Sequence, residues 1–261
     1  MFPASVERLR PLVPATVPDS IVLAAIRAES AGKIGARAGL ITKSAHDPAC
    51  GLPADLIHRC LGLGQVSGAA LETYNDNNPG DKVTACQLAG ENWSDAAAQV
   101  KVCAWLVAWG LKKVHAADPV LAPWPLGELT REQALQADLI YSRGPGAWKE
   151  RRNAIIADGD VPTFEKMQAR FPDWGAPHET PFKHARKVVT WAWADFDAQA
   201  AAPEPEPEPE TTPETSPESP QAATEPAADS ALLRTVVIAA ALGLVAAAIV
   251  AWLAGGPAAV A

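Results

Sequence analysis

Strand formers are sparse in this chain before residue 235, and that scarcity predicts a mostly helical protein rather than a sheet protein. A basic stripe is missing too. The formal charge of −8 hides where the acid lies, because residues 201–230 carry seven Glu and Asp229 but no Lys or Arg. Removing those eight acids and Arg234 from the total leaves residues 1–200 at −1. A nearly neutral globular part with no basic face excludes nucleic acid as a partner. The four cysteines, Cys50, Cys60, Cys86 and Cys103, lack C-x-x-C spacing, and His46, His58 and His178 show no metal-ligand spacing. No metal and no other cofactor is therefore expected. Two disulfides can form in an oxidising compartment, and Cys50 with Cys60 is the expected pair because both flank one loop; four buried thiols are the alternative. The start, MFPASVERLRPLVP, has no continuous apolar core and is interrupted by Glu7 and two arginines, so it does not read as a secretory signal.

What is present falls into segments. The 261 residues hold one domain of about 150–200 residues plus extras. Residues 1–198 alternate helical patterns with Gly- and Pro-rich loops. Residues 199–230 are a low-complexity Pro/Glu-rich stretch that cannot bury a core, so a disordered linker is expected, reaching at most roughly 85 Å in polyproline geometry. Residues 235–254, TVVIAAALGLVAAAIVAWLA, carry no charge over 20 positions. That length crosses a hydrocarbon layer, so one C-terminal transmembrane helix is expected over 231–254, followed by a short tail, 255–261. A lipid membrane is thus an expected partner. The single flanking charge, Arg234, favours a cytoplasmic N-terminal side.

Within the first segment, Thr16-Val17-Pro18-Asp19 reads as a capping box, and the helix after it is apolar nearly all round from Ile21 to Ile26. Glu29 falls in its last turn, with Gly32 as C-cap. Further helices are expected from Ser67 to Tyr74, over 94–114 with Ser94 or Asn92 as cap, from Thr130 to Tyr141, and over 183–198. A carboxyl at the negative end of a helix dipole, in apolar surroundings, is disfavoured in its charged form. Glu29 is therefore a candidate proton donor for glycosidic cleavage; the bland alternative is a solvent-facing helix-terminal Glu. Trp105 and Trp109, four apart on one helix, read as core, whereas Trp124, Trp148 and Trp174 lie in Pro/Gly-rich loops where they could stack on sugars.

Three motifs occur in a telling order: Glu29-Ser30-x-Gly32, Gly62-Leu63-Gly64-Gln65-Val66, and Tyr141-x-x-Gly144. In this they resemble the soluble lytic transglycosylase family of lysozyme-like proteins, over most of residues 17–198. Glu29-Ser30 resembles its catalytic Glu-Ser, and residues 62–66 its Gly-Leu-Met-Gln-Ile turn. Asn92 and the following helix resemble its third motif, and LIYSRGPGAW at 139–148 its Ala-Tyr-Asn-Ala-Gly segment. HETPFKHARKVV at 178–189 resembles its closing Pro-Glu-Thr-x-x-Tyr-Val stretch. The chain departs from the pattern in a longer gap between Glu29 and Gln65, in Ser142 where Asn is usual, and in His184 or Ala185 where the last motif has Tyr.

The resemblance implies a mainly α lysozyme-like domain that cleaves the MurNAc-GlcNAc bond of peptidoglycan glycan strands and closes a 1,6-anhydro ring. It implies Glu29 as acid and then base, with Gln65, Tyr141, Ser30 and Gly64 contacting or framing the sugar. A hydrolytic muramidase, using Asp47 or Asp55 as a second carboxylate, is the alternative. A third possibility is a non-catalytic peptidoglycan-binding protein. The layout of domain, linker and membrane tail resembles membrane-anchored virion transglycosylases of tectivirus type. That implies a viral membrane, local wall opening in phage entry or lysis, and viral partner proteins. A bacterial inner-membrane enzyme facing the periplasm, within a secretion or conjugation complex, is the competing context.

Overall fold

The computed structural model describes residues 1–41, 44–117, 129–174 and 180–201. The expected linker beyond residue 201, the apolar run at 235–254 and Trp124 lie outside the described residues. Among the described residues no helix is long and apolar enough to cross a membrane.

The architecture is mainly helical. In chain order the elements are α1 (Ala4–Glu7), α2 (Asp19–Ser30), β1 (Arg37–Ile41), β2 (Arg59–Leu61), α3 (Gly68–Asn77), α4 (Ala85–Ala89), α5 (Trp93–Ala117), α6 (Arg131–Arg143), α7 (Pro145–Ala157), α8 (Phe164–Arg170) and α9 (Pro181–Ala200). The helix starts follow capping chemistry. Ser67 accepts from Ala70 N–H ahead of α3, and Thr130 forms a full capping box with Gln133 ahead of α6. Thr180 accepts from Lys183 N–H ahead of α9.

The start of α2 differs from expectation. Pro18 holds the N-cap position and no side chain caps there, since a proline one step before the helix presets φ without supplying an acceptor. Ser94 lies inside α5 rather than capping it; the residue before the helix is Asn92, whose N–H donates to Asp95 Oδ2 at 3.2 Å.

From Ile21 to Ile26, α2 is no more than 5% exposed at any position. Each fully buried branched side chain contributes about 1.5–3 kcal/mol, so this short run anchors the domain. α9 and α5 pack on it, α6 packs in turn on both, and their apolar faces form one core with α1, α7 and α8. A second, smaller core lies beneath the β1–β2 pair, α3 and α4, where Leu61, Val66, Leu71, Tyr74 and Leu88 meet Val102 of α5. The antiparallel pairing sets Arg37 opposite Leu61 and Ile41 opposite Arg59, with an irregularity between. Tyr141 packs against both cores. It stands at the seam between the helical body and the small sheet-bearing lobe.

Two further expectations are corrected. The disulfide joins Cys50 to Cys86, not to Cys60, and Cys60 and Cys103 are free thiols. Proximity along one loop did not decide the pairing; the loop folds back so that Cys50 meets the first turn of α4. Trp148 and Trp174 do not face a sugar site. Both are buried, Trp148 donating to Gln136 Oε1 at 3.2 Å and Trp174 packed on Phe182.

Candidate active site

A cleft of about 700 Å³ opens along the seam, lined by Glu29, Ser30, Ala31, Cys60, Gly64, Gln65 and Tyr141 among others. Residues far apart in sequence thus converge: the end of α2, the turn after β2 and the last turns of α6. All five residues expected to form the site line this one cleft.

Glu29 enters it because α2 stops there. Ala31, with φ 54°, takes the left-handed conformation that ends the helix, and Ser30 Oγ donates to Ile26 O at 3.0 Å across the last turn. Gly32 follows the cap rather than forming it. On the opposite wall, Leu61 and Val66 exchange backbone hydrogen bonds of 3.0 and 2.8 Å and close a tight turn over residues 62–65. Gln65 sits in this turn at φ 47°, its Nε2 donating to Gly62 O at 2.8 Å. Ala31 and Gln65 are the two non-glycine residues with positive φ among the described residues, and both line the cleft. Such conformations cost of order 1–3 kcal/mol each and collect where a site demands a backbone shape.

Gly64 is required by proximity. A Cβ there would lie 2.7 Å from Tyr141 Oη and 3.0 Å from Cys103 Cβ. The Tyr141 phenol donates to Gly64 O at 2.5 Å, so its one proton goes to the turn and not to Glu29. Buried Gln99 of α5 fixes the same turn from behind: Oε1 accepts from Leu63 N–H and Gly35 N–H, each at 3.1 Å.

The surroundings of Glu29 differ from the apolar setting expected. His184 of α9 places Nε2 3.2 Å from Glu29 Oε1 and its Nδ1 2.8 Å from Asp138 Oδ2. The Asp138 contact is a hydrogen bond; the Glu29 contact is within ion-pair reach but off line for one. Burial opposes charge on the His184 ring, but the charge and hydrogen bond of Asp138, and then the close Glu29 carboxyl, outweigh it and push its pKa up to about 10. Burial pushes the Cys60 thiol up to about 11 and the Cys103 thiol to about 12, and it drives the Tyr141 phenol well above its usual value, with the Glu29 charge adding to each. Neither His184 nor Asp138 was expected as a site residue. The only trace in sequence was His184 standing near a position where the resembled family has Tyr.

Glu29 is the one carboxylate among the described residues that line the cleft, and Arg27, Lys33 and Arg37 line it as well. Asp47 and Asp55, the candidates for a second carboxylate, are not there. Asp47 is exposed and caps a short 3₁₀ turn through Ala49 N–H, and Asp55 is exposed on the neighbouring one. Past Tyr141 the cleft continues into a second hollow of about 630 Å³, which shares Ser67, Ala70, Leu106, Tyr141 and Ser142 with the first. Trp109, expected in the core, is only half-buried and lines this extension, stacked on Trp105 at 5.7 Å. His46 is buried and its Nε2 lies 2.9 Å from Arg59 O. No group of three metal-ligating side chains occurs among the described residues.

No family model, curated protein or solved structure matches this chain.

Proposed function

We propose that the chain is a peptidoglycan lytic transglycosylase with Glu29 as its acid and base. The observation that carries this reading is the convergence of Glu29, Gln65 and Tyr141 on one cleft in which Glu29 is the sole carboxylate among the described lining residues. Glycosidases of the ordinary two-carboxylate kind need a second acid across the scissile bond. An intramolecular displacement does not, because the substrate supplies its own nucleophile.

In the proposed cycle Glu29 gives its proton to the glycosidic oxygen between MurNAc and GlcNAc as the C1–O bond breaks. The carboxylate left behind takes the proton of the muramic C6 hydroxyl, whose oxygen bonds to C1 and closes the 1,6-anhydro ring. Water is neither consumed nor released, and Glu29 ends protonated as it began. Gln65 presents a polar side chain to the sugar from a strained turn. Gly64 lets the backbone approach closely, Tyr141 fixes that turn, and Ser30 holds the last turn of α2. The extended cleft suits a strand of several sugars, with Trp109 as a flat surface for one of them.

The cellular setting belongs to the same proposal. The acidic, proline-rich stretch and the uncharged run at 235–254 support a domain tethered to a membrane, and opening of the cell wall from a viral membrane fits that layout. Anchorage in a bacterial inner membrane is the second setting that the layout allows.

The test is mass spectrometry of muropeptides released from purified sacculi by the full chain and by Glu29→Gln. Anhydromuramic ends in the first and none in the second are expected. Reducing ends, heavier by one water, would make it a hydrolase. Sacculi bound but uncut by the unaltered chain would make it a binding protein.

A further inference from the structure

His184 is a buried imidazole held between carboxylates from two different helices, Asp138 at 2.8 Å and Glu29 at 3.2 Å. A neutral imidazole has one N–H donor, whereas an imidazolium has two. With a carboxylate oxygen near each nitrogen, the doubly protonated ring is the form that suits both. The other ionisable groups facing Glu29 are Tyr141 from α6, Cys103 from α5 and Cys60 from β2, and burial keeps all three neutral near neutral pH. Arg27, Lys33 and Arg37 line the same cleft. Of these positive groups, His184 is the one with a contact to the Glu29 carboxyl within ion-pair distance.

We propose that His184, fixed by Asp138, is a positioning residue for Glu29: it stands at Oε1, leaves Oε2 to the substrate, and stabilises the carboxylate that forms when the proton leaves. During the first step the proton on Oε2 moves to the glycosidic oxygen, and the resulting carboxylate is stabilised by the neighbouring cation. During the second step Oε2 takes the C6 hydroxyl proton. His184 keeps both of its own protons throughout and is not consumed. Asp138 acts one step further back, orienting the ring and holding its charge.

The catalytic meaning rests on the transglycosylase reading, but the coupling of His184 to Glu29 does not. It is tested on the full chain by NMR titration, with histidine ring nitrogens labelled. His184 is expected to remain an imidazolium at about pH 8, where an ordinary histidine is neutral. Asp138→Asn moves its titration down. Glu29→Gln also moves it down, because the Glu29 charge is one of the causes that raise it. On sacculi His184→Gln lowers kcat about tenfold or more with KM little changed, and His184→Lys, which keeps a cation, recovers part of it, whereas a purely structural loss is not recovered by Lys.

A His184 midpoint that is the same in the unaltered chain and in Glu29→Gln overturns the proposal, and so does a kcat unchanged in His184→Gln. So does a neutral His184 at about pH 8 in the folded chain. Glu29→Gln that still makes anhydro products would sink the functional reading and leave the NMR coupling standing. The two failures are therefore distinct.

Discussion

Tyr141 and Gly64 lie 77 positions apart, yet the phenol of one donates to the carbonyl of the other at 2.5 Å across the floor of the cleft. The bond ties α6 to the turn that carries Gln65, and with Gln99 of α5 it sets the geometry of that turn. Tyr141→Phe removes the donor and keeps the ring. The expected loss is about 1–2 kcal/mol of stability, the cost of one buried hydrogen bond, with activity reduced roughly tenfold as the turn loosens. Gly64→Ala is expected to be worse, because the new Cβ would lie 2.7 Å from Tyr141 Oη. Urea denaturation and muropeptide release measured on both variants check this; a Tyr141→Phe protein unchanged in both would show that the turn holds without its tie.

Gln99 makes four hydrogen bonds while wholly buried. It accepts from Gly35 and Leu63 N–H, and it donates to Gln87 O at 3.1 Å and Gly90 O at 2.8 Å. One side chain thereby satisfies backbone from three loops around the cleft. Gln99→Leu fills similar space but strands those groups away from water. The expected destabilisation is about 3–5 kcal/mol, at the high end for a single substitution. A loss under about 1 kcal/mol by urea denaturation would mean that water takes over the bonds.

The Cys50–Cys86 bridge closes a loop spanning 36 positions that carries β2 and one wall of the cleft. Restricting a loop of that length in the unfolded chain is worth about 3–4 kcal/mol in the chain-entropy view. Cys50→Ser with Cys86→Ser is expected to lose about that much in stability. Peptide mapping under non-reducing conditions should recover a Cys50–Cys86 linked pair and an alkylatable Cys60. A Cys50–Cys60 linkage would overturn the pairing.

Local signals carried well from sequence to structure. The buried run Ile21–Ile26, the Ser67 and Thr130 caps and the ending of α2 just after Glu29 all depend on neighbours within a few residues, and each is where the pattern placed it. Glu29, Gln65 and Tyr141 were each legible as motif residues, and the fold brings them to one cleft. What was missed depends on distance in the chain. Asp138 and His184 are 46 positions apart, and nothing around either announces a partner. The short β1–β2 pair lacks the sustained alternation that identifies a strand, and it forms because β2, inside the disulfide loop, returns antiparallel to β1. For Trp148 and Trp174 sugar stacking stayed open in the sequence because their loop-like neighbours, rich in Pro and Gly, say nothing about packing from α6 and α9.

The Asp138–His184 pair also gives folding a pH signature. The folded-state pKa of His184, about 10, lies above that of an unfolded histidine, about 6.5. Folding therefore favours the protonated ring, and its contribution is complete below about pH 6.5. The contribution declines as pH rises from there and is gone above about pH 10. At about 1.4 kcal/mol per pH unit it is of the order of a few kcal/mol. Lysines and the raised thiols also titrate toward the alkaline end, so the informative quantity is the difference between the unaltered chain and His184→Gln. That difference is expected to be largest near pH 6, to shrink steadily through pH 8 and to vanish or reverse near pH 10, as measured by urea denaturation across the range. A difference that stays flat with pH would mean that the ring is neutral in the folded protein. Asp138 would then hold a tautomer rather than a charge.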